Sequence, residues 1–276
     1  MTGGYDPSHF ARLVAVEDRH FWFRSRNRII SLLAGQAVAE FAAGYRVLEV
    51  GCGDGNVLRV LEKACPDGVV VGMDYFREGL AYARGRCACP LVQGDLKLPP
   101  FGKTFHLIGM FDVLEHLPDD RQVLHDLWRI LDARGRLMLT VPAGPALWSA
   151  FDVASGHCRR YRKEELEQKL RECGYIVEYL TPYMAGIYPL VWLSRRFGKH
   201  SGPDGTARAV ERDLRVIPVL NGMLSVVLSQ EMRWICRRRR LPIGTSLLAP
   251  RQVNTLFPWL KITEVVPFSS STEAEQ

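Results

Sequence analysis

Residues 47–55 read Val-Leu-Glu-Val-Gly-Cys-Gly-Asp-Gly, and few folds accept such a stretch. Val47 to Val50 suit a strand buried on both faces, and Val57, Leu58, Val60 and Leu61 follow at helical spacing. A glycine-rich strand-to-helix turn therefore lies between them. Gly51, Gly53 and Gly55 lack the Cβ atoms that would hold a ligand off the backbone, and the next helix aims free NH groups and its positive dipole end at the same space. The pattern predicts an α/β fold whose first turn holds a nucleotide-like cofactor, with a purely structural glycine turn as the alternative.

Spacing and charge narrow the cofactor. A dinucleotide fingerprint needs a third glycine three residues after the second, where this chain has Asn56, so a nicotinamide oxidoreductase fits poorly. Glu49, two residues before the first glycine, would repel a pyrophosphate but suits a ligand whose near end is cationic. The pattern Glu49-x-Gly51-x-Gly53-x-Gly55 resembles the first motif of the class I S-adenosylmethionine-dependent methyltransferases. Their cofactor, S-adenosyl-L-methionine, carries an ammonium and a sulfonium and no phosphate. The resemblance implies that Gly51, Cys52 and Gly53 line its methionine and ribose portion, with Glu49 at the amino-acid end.

Two further motifs follow in order. Val69-Val-Val-Gly-Met ends in Asp74, and a carboxylate at the tip of the second strand is where such folds bind ribose hydroxyls, although it also suits a helix cap. The resemblance puts Tyr75 beside the adenine and a hydrogen bond from the adenine amino group on Asp95, within Gly94-Asp95-Leu96 after a strand near 90–93. Strand four, at about 105–111, runs into Phe111-Asp-Val-Leu-Glu-His-Leu117, which resembles the stretch closing this cleft in small-molecule methyltransferases, the ubiquinone-biosynthesis O-methyltransferases among them. The implied fold is Rossmann-like and doubly wound. It has a mostly parallel seven-stranded sheet with an antiparallel last strand.

Candidates for the chemistry come after strands four and five. His116 and His157 each offer a base of suitable pKa for a hydroxyl attacking a methyl group. The loop 148–161 resembles an Asp…Gly-His…Arg-Tyr element of methyltransferases from glycan and lipid pathways, which implies that Arg160 and Tyr161 meet the acceptor. The same loop reads equally as one pinned by Asp152 pairing with Arg159 or Arg160. Asp112, Glu115 and His116 would share a face if all were helical, but Asp112 is expected to end strand four, so no metal is expected.

The remaining chain frames this core, which is expected over 43–182 and 241–250. Residues 1–42 carry apolar residues at helical spacing around His20-Phe-Trp-Phe-Arg24 and predict two helices. They form either a sheet-edge cap or a lid in which Arg24 or Arg26 meets the methionine carboxylate. Further on, the pattern predicts a helix over 121–133 stopped by Gly135, a strand over 136–141, a helix over 163–173 and a strand over 175–180. The best antiparallel partner is 244–249. What intervenes, 183–240, is a helical insertion, with a polar linker at 199–206; residues 251–276 form a tail, polar from 269.

Within the insertion, the apolar run from Val216 to Leu228 is interrupted by Pro218, Asn221 and Ser225 and is too short to span a bilayer. Arg237 to Arg240 follow it directly. Aromatic and aliphatic residues beside clustered arginine suit an anionic membrane surface through 187–240, a cap over the active site, or a homodimer face. No nucleic-acid module is recognisable, so no nucleic-acid partner is expected. Seven scattered cysteines without a Cys-x-x-Cys pair, and no basic or apolar leader after Met1, imply reduced thiols in a cytoplasmic protein, peripheral to the inner membrane if the insertion docks there. The function implied is methyl transfer to an oxygen, less readily a nitrogen or carbon, of a small-molecule or lipid-linked acceptor. The rival is a cofactor-binding regulatory or scaffold protein.

Overall fold

The computed structural model describes residues 6–7, 9–102, 105–197 and 217–253. The expected linker at 199–206, Val216 and the tail from 254 lie outside these residues.

β1 (Arg46–Val50) stands in the middle of the sheet, with Val47 to Val50 all buried. β2 (Val69–Asp74) and β4 (Phe105–Phe111) flank it in parallel. β3 (Leu91–Gln93) and β5 (Leu131–Pro142) extend the parallel run outward. Beyond β5 lies β8 (Ser246–Val253), antiparallel, with Arg136 opposite Gln252 and Pro142 opposite Ser246. β6 (Tyr175–Ile176) and β7 (Thr181–Tyr183) both pair with the outer edge of β8, at opposite ends of it. Together they fill the seventh place of a Rossmann-like mixed sheet in the order 3-2-1-4-5-8-6/7.

Alternation along the strands divides the core in two. Val47, Leu107 and Met138 face α2 (Phe21–Val38) and α3 (Leu58–Ala64). Their neighbours Leu48, Ile108 and Leu139 face α5 (Asp120–Ile130) and α7 (Lys163–Glu172). Helices cover both faces, which is why the central strands read as continuous apolar runs. α4 (Arg77–Ala83) follows β2, α6 (Ala150–Ala154) lies in the loop after β5, and α1 (His9–Val16) rests on α4.

Three elements differ from expectation for local reasons. α5 stops at Ile130 because Leu131 is already extended and pairs with Phe105. Gly135 is the closing residue of a bulge in β5: a Cβ there would lie 2.8 Å from the Phe105 carbonyl oxygen. The strand expected over 175–180 is split because its end is tied elsewhere. The Tyr179 hydroxyl donates to the Arg239 carbonyl at 2.7 Å, and Thr181 Oγ1 accepts from Leu241 N at 2.8 Å. β8 itself continues past 250 to Val253.

The insertion supplies α8 (Tyr188–Phe197) and α9 (Pro218–Cys236). Asn221, expected to interrupt the apolar run, anchors it: its side chain accepts from Phe21 N at 2.7 Å and donates to the Arg19 carbonyl at 3.0 Å. Buried Glu231 accepts from Met184 N, from Ala185 N at 2.8 Å and from Gly186 N at 3.3 Å, so α9 also caps the turn after β7. No helix among the described residues is long and apolar enough to cross a membrane. All seven cysteines are free.

Candidate functional site

The cleft opens where β1 and β4 end. Gly51 has φ +69°, and a Cβ on it would lie 2.5 Å from Val113 Cγ2, so conformation and space both exclude a side chain. Gly51 N and Cys52 N donate to the Met73 carbonyl at 2.8 and 3.1 Å, hooking the turn over the end of β2. Cys52 turns its thiol into the core, where burial raises its pKa far above the usual thiol value, so it offers the cleft only its backbone.

Asp74 holds the same turn. Its Oδ2 accepts from Gly53 N at 2.7 Å and its Oδ1 from Phe76 N at 2.8 Å, which leaves each oxygen a lone pair for an incoming hydroxyl. Burial raises its pKa, against the pull of the backbone NH groups. Half-exposed Tyr75 follows, its carbonyl accepting from Gln93 Nε2 at 3.2 Å. Gly94 N reaches back to the Asp74 carbonyl at 3.0 Å, so Tyr75, Gly94, Asp95 and Leu96 gather at one end of β2 and β3. Asp95 Oδ1 accepts from Lys97 N at 3.0 Å. Phe111 lies deeper, its ring buried against Gly109.

Glu49 is 3% exposed, and its Oε2 has no hydrogen-bond partner among the described residues. Burial holds its carboxyl well above the usual carboxylate range, while Arg26 pulls it down. An orphaned buried oxygen of this kind suits a ligand cation.

Arg26, not Arg24, is the arginine at the cleft. Its guanidinium donates to Asp112 Oδ2 at 2.8 Å and to Asn56 Oδ1 at 3.4 Å and lies over the Trp22 ring, 5.0 Å from its centroid. Asn27 Nδ2 donates to the same Asn56 oxygen at 2.6 Å, so α2 is clasped to the glycine turn. Arg24 is exposed. The helical phase carried the signal: Arg26 shares a face with Ile30, Leu33 and Ala37, all buried, and Arg24 does not.

Beyond Asp112, which adopts φ +56°, a short 3₁₀ turn from Leu114 to His116 brings in the second half of the site. The loop after β5 arrives against it, with Cys158 N donating to the Glu115 carbonyl at 2.7 Å. Within that loop Asp152 is fully buried and saturated. Its Oδ2 accepts from Ser149 N and Ser149 Oγ at 2.8 and 2.9 Å, and its Oδ1 accepts from Arg160 Nε at 2.7 Å. His157 Nδ1 stands 2.9 Å from the same Oδ1. Burial alone would raise Asp152; the hydrogen bonds from His157 and Arg160 reverse this and leave it below the usual range, as an anion. Beside that anion Nδ1 of His157 carries a proton, and its Nε2 stands 4.0 Å from Glu115 Oε1.

His116 lies edge-on to His157 with ring centroids 4.7 Å apart. Burial, aided by His157, pushes its pKa down to about 3. Glu115 is 1% exposed; burial first and Asp112 second raise its pKa well above the usual carboxylate range. The groups that converge are thus Glu115, His116 and His157, with one ligand-type atom from each within 4.8 Å of the others, rather than Asp112, Glu115 and His116. Tyr161, expected to meet the acceptor, is fully buried. Its hydroxyl donates to Asp120 Oδ2 at 3.0 Å, and a backbone bridge to Ala143 seats it in the core. The expected pairing of Asp152 goes to Arg160, while Arg159 meets Asp120 at 2.8 Å.

Residues 17–180 match the family model of a methyltransferase domain. A protein of Mycolicibacterium smegmatis named as a probable S-adenosylmethionine-dependent methyltransferase is 28% identical over 67% of this chain and 69% of its own length. One of the same description from Mycobacterium tuberculosis H37Rv is 27% identical over 57% of this chain, which spans 56% of that relative's length. Among solved structures, the Haemonchus contortus phosphoethanolamine N-methyltransferase 2 bound to S-adenosyl-L-methionine superposes with a TM-score of 0.53. It is 17% identical, over 82% of this chain and 52% of that one, and shares the fold.

Proposed function

The chain belongs to the class I S-adenosylmethionine-dependent methyltransferases, whose methyl donor is S-adenosylmethionine, and we propose that it methylates an oxygen of a small-molecule or lipid-linked acceptor with His157 as the base. The observation that carries this reading is the Asp152–His157 pair, set against Glu115 at the end of β4.

The cofactor side accommodates the donor through its own groups. Glu49 answers the ammonium, the backbone of Gly51, Cys52 and Gly53 leaves room for the methionine and ribose, and Asp74 takes the ribose hydroxyls. Tyr75, Gly94, Asp95 and Leu96 surround the adenine, with Phe111 closing the floor. Arg26 balances Glu49 and Asp112 from the lid. When bound, the donor supplies a methyl group on a sulfonium that is already a good leaving group.

The acceptor side then has to make a nucleophile. A hydroxyl is a weak one at neutral pH, and an imidazole held by a carboxylate is the group that removes its proton as it attacks. Asp152 fixes the Nδ1-protonated tautomer and stabilises the imidazolium that forms when Nε2 takes that proton. His116, driven neutral down to about pH 3, is too weak a base for this task and serves as packing beside His157. Alignment and exclusion of water supply the rest of the rate. Seven free thiols suit a reducing, cytoplasmic setting.

The test begins with methyl-labelled donor and fractionated cell extract, to find the fraction that takes label and the atom that carries it. On that acceptor His157→Ala should lose about a hundredfold to ten-thousandfold in turnover while S-adenosylhomocysteine binds unchanged by calorimetry. Label on carbon or nitrogen, or a variant that keeps more than about a third of wild-type turnover, would overturn the proposal.

A further inference from the structure

α8 and α9 each give one face to the body of the protein and one to solvent. The inner face of α9 is fixed by Asn221 and Glu231, with Leu228 and Ile235 buried beside them. Its outer face presents Val219, Met223 and Val226, which are 75%, 63% and 62% exposed and, at i, i+4 and i+7, form one stripe. On α8, Leu190, Trp192 and Leu193 are likewise exposed. Large apolar side chains left open on helices that are otherwise anchored mark an interaction surface.

Charge identifies the partner. Residues 188–197 and 217–240 hold seven arginines and one acid, Glu231, an excess of six that equals the net charge of the whole chain. The rest of the sequence sums to zero. Glu231 faces inward, and Arg233 and Arg237 to Arg240 are all exposed at the C-terminal end of α9. The apolar stripe therefore ends in a cluster of cations, with no exposed acid on either helix.

We propose that this face docks on an anionic lipid bilayer, lying in the headgroup layer with the apolar stripe inserted and the arginines on lipid phosphates. An apolar face beside a cationic end on a helix that does not span is the composition of an interfacial element, and each arginine near such a surface is worth about a fivefold change in partitioning. A second copy of the chain fits less well. Two-fold pairing sets the patch against itself and brings the arginines of both copies to the interface with no exposed acid on either helix to answer them. The docked helices also adjoin the acceptor side, since α8 packs on the turn at 145–147 that leads into the His157 loop. An amphiphilic acceptor held in the bilayer would then enter without crossing water; that step rests on the proposed acceptor, whereas the docking does not.

Cosedimentation of the full chain with vesicles tests the docking without donor or turnover. The wild type should bind phosphatidylcholine vesicles containing about 30 mol% phosphatidylglycerol at low salt, release in about 0.5 M salt, and ignore pure phosphatidylcholine. Arg237→Ser with Arg240→Ser should weaken partitioning about twenty-five-fold, Arg238 and Arg239 being left in place because they stack on Tyr179 and Trp234. Val219→Ser, Met223→Ser and Val226→Ser together should cost at least about tenfold. Both variants should keep the wild-type melting temperature and S-adenosylhomocysteine affinity, since the altered side chains are solvent-exposed. Wild-type protein that ignores anionic vesicles at low salt, binding indifferent to both variants, or a dimer in light scattering that the stripe variant splits, would overturn the docking. A chain that binds vesicles yet transfers no methyl group would leave the docking standing and end the acceptor reading.

Discussion

The two sides of the cleft are made of different material. On the cofactor side the polar contacts are largely backbone: Gly51 N and Cys52 N on the Met73 carbonyl, Gly53 N and Phe76 N on Asp74. On the acceptor side they are side chain to side chain, with Asp152 joining Ser149, His157 and Arg160 around one buried carboxylate. A backbone cradle depends on conformation and on few side chains. A buried ionic network concentrates charge where water cannot screen it, so each member depends on the rest. Substitutions on the two sides should therefore separate, binding from turnover.

The largest effect is expected at Asp152. Asp152→Asn keeps the volume but removes the anion that selects the His157 tautomer, and turnover should fall about a hundredfold to ten-thousandfold. S-adenosylhomocysteine affinity should hold, and the companion His116→Ala should stay within about threefold of wild type in turnover. Equal losses in the Asp152 and His116 variants, from steady-state rates and calorimetry side by side, would erase the distinction between the two histidines.

The same contrast explains what could be read from the chain alone. The glycine turn was legible because Gly51, Gly53 and Gly55 fall at alternate positions and act through backbone geometry, which local sequence determines. The acceptor side is assembled across 49 positions, from Asp112 to Arg160. Both histidines were visible as candidates, but what separates them is the buried Asp152 carboxylate held against His157, and that meeting is a property of packing. Tyr161 was expected at the acceptor because its loop resembles an Asp…Gly-His…Arg-Tyr element; the bridge to Ala143 that draws it inward is tertiary. Arg26 was within reach of helical phase, and Gly135 was not, since the bulge it closes depends on the Phe105 carbonyl of another strand. The apolar and basic insertion stood out in composition, while the roles of Asn221 and Glu231 as anchors appear only when α9 meets α2 and the turn after β7.

Asp74 gives the next effect in size. Asp74→Ala removes the proposed acceptor for two ribose hydroxyls and also frees Gly53 N and Phe76 N, and it should weaken S-adenosylhomocysteine by about 2 to 4 kcal/mol in calorimetry. A loss below about tenfold would mean that the cradle is backbone alone and would sharpen the division between the two sides.

The smallest effect concerns a place where the cofactor side does rest on buried charge. α1 sets Phe10 over the glycine turn, 3.1 Å from where a Gly53 Cβ would stand, and at its end Glu17 meets Arg86, which also holds Asp54 of the turn at 3.0 Å. Two buried acids thus share one arginine, which the exposed Asp18 also meets at 3.5 Å. Burial first, and Asp54 second, raise Glu17 from 4.5 to about 7, with Arg86 opposing. Its folded pKa lies above its unfolded one, so the native chain holds the extra proton between these values. The stability tied to that proton is whole below about pH 4.5 and is lost as pH rises through 7, to a limit of about 3 kcal/mol at 1.36 kcal/mol per pKa unit. Glu17→Gln cannot titrate and should gain on the wild type by up to that amount between pH 5 and pH 8 in urea unfolding, whatever its constant offset from the altered Arg86 contact. A difference that stays flat across that range would mean that Arg86 satisfies both acids at once, and that the lid is held as independently of buried charge as the turn it covers.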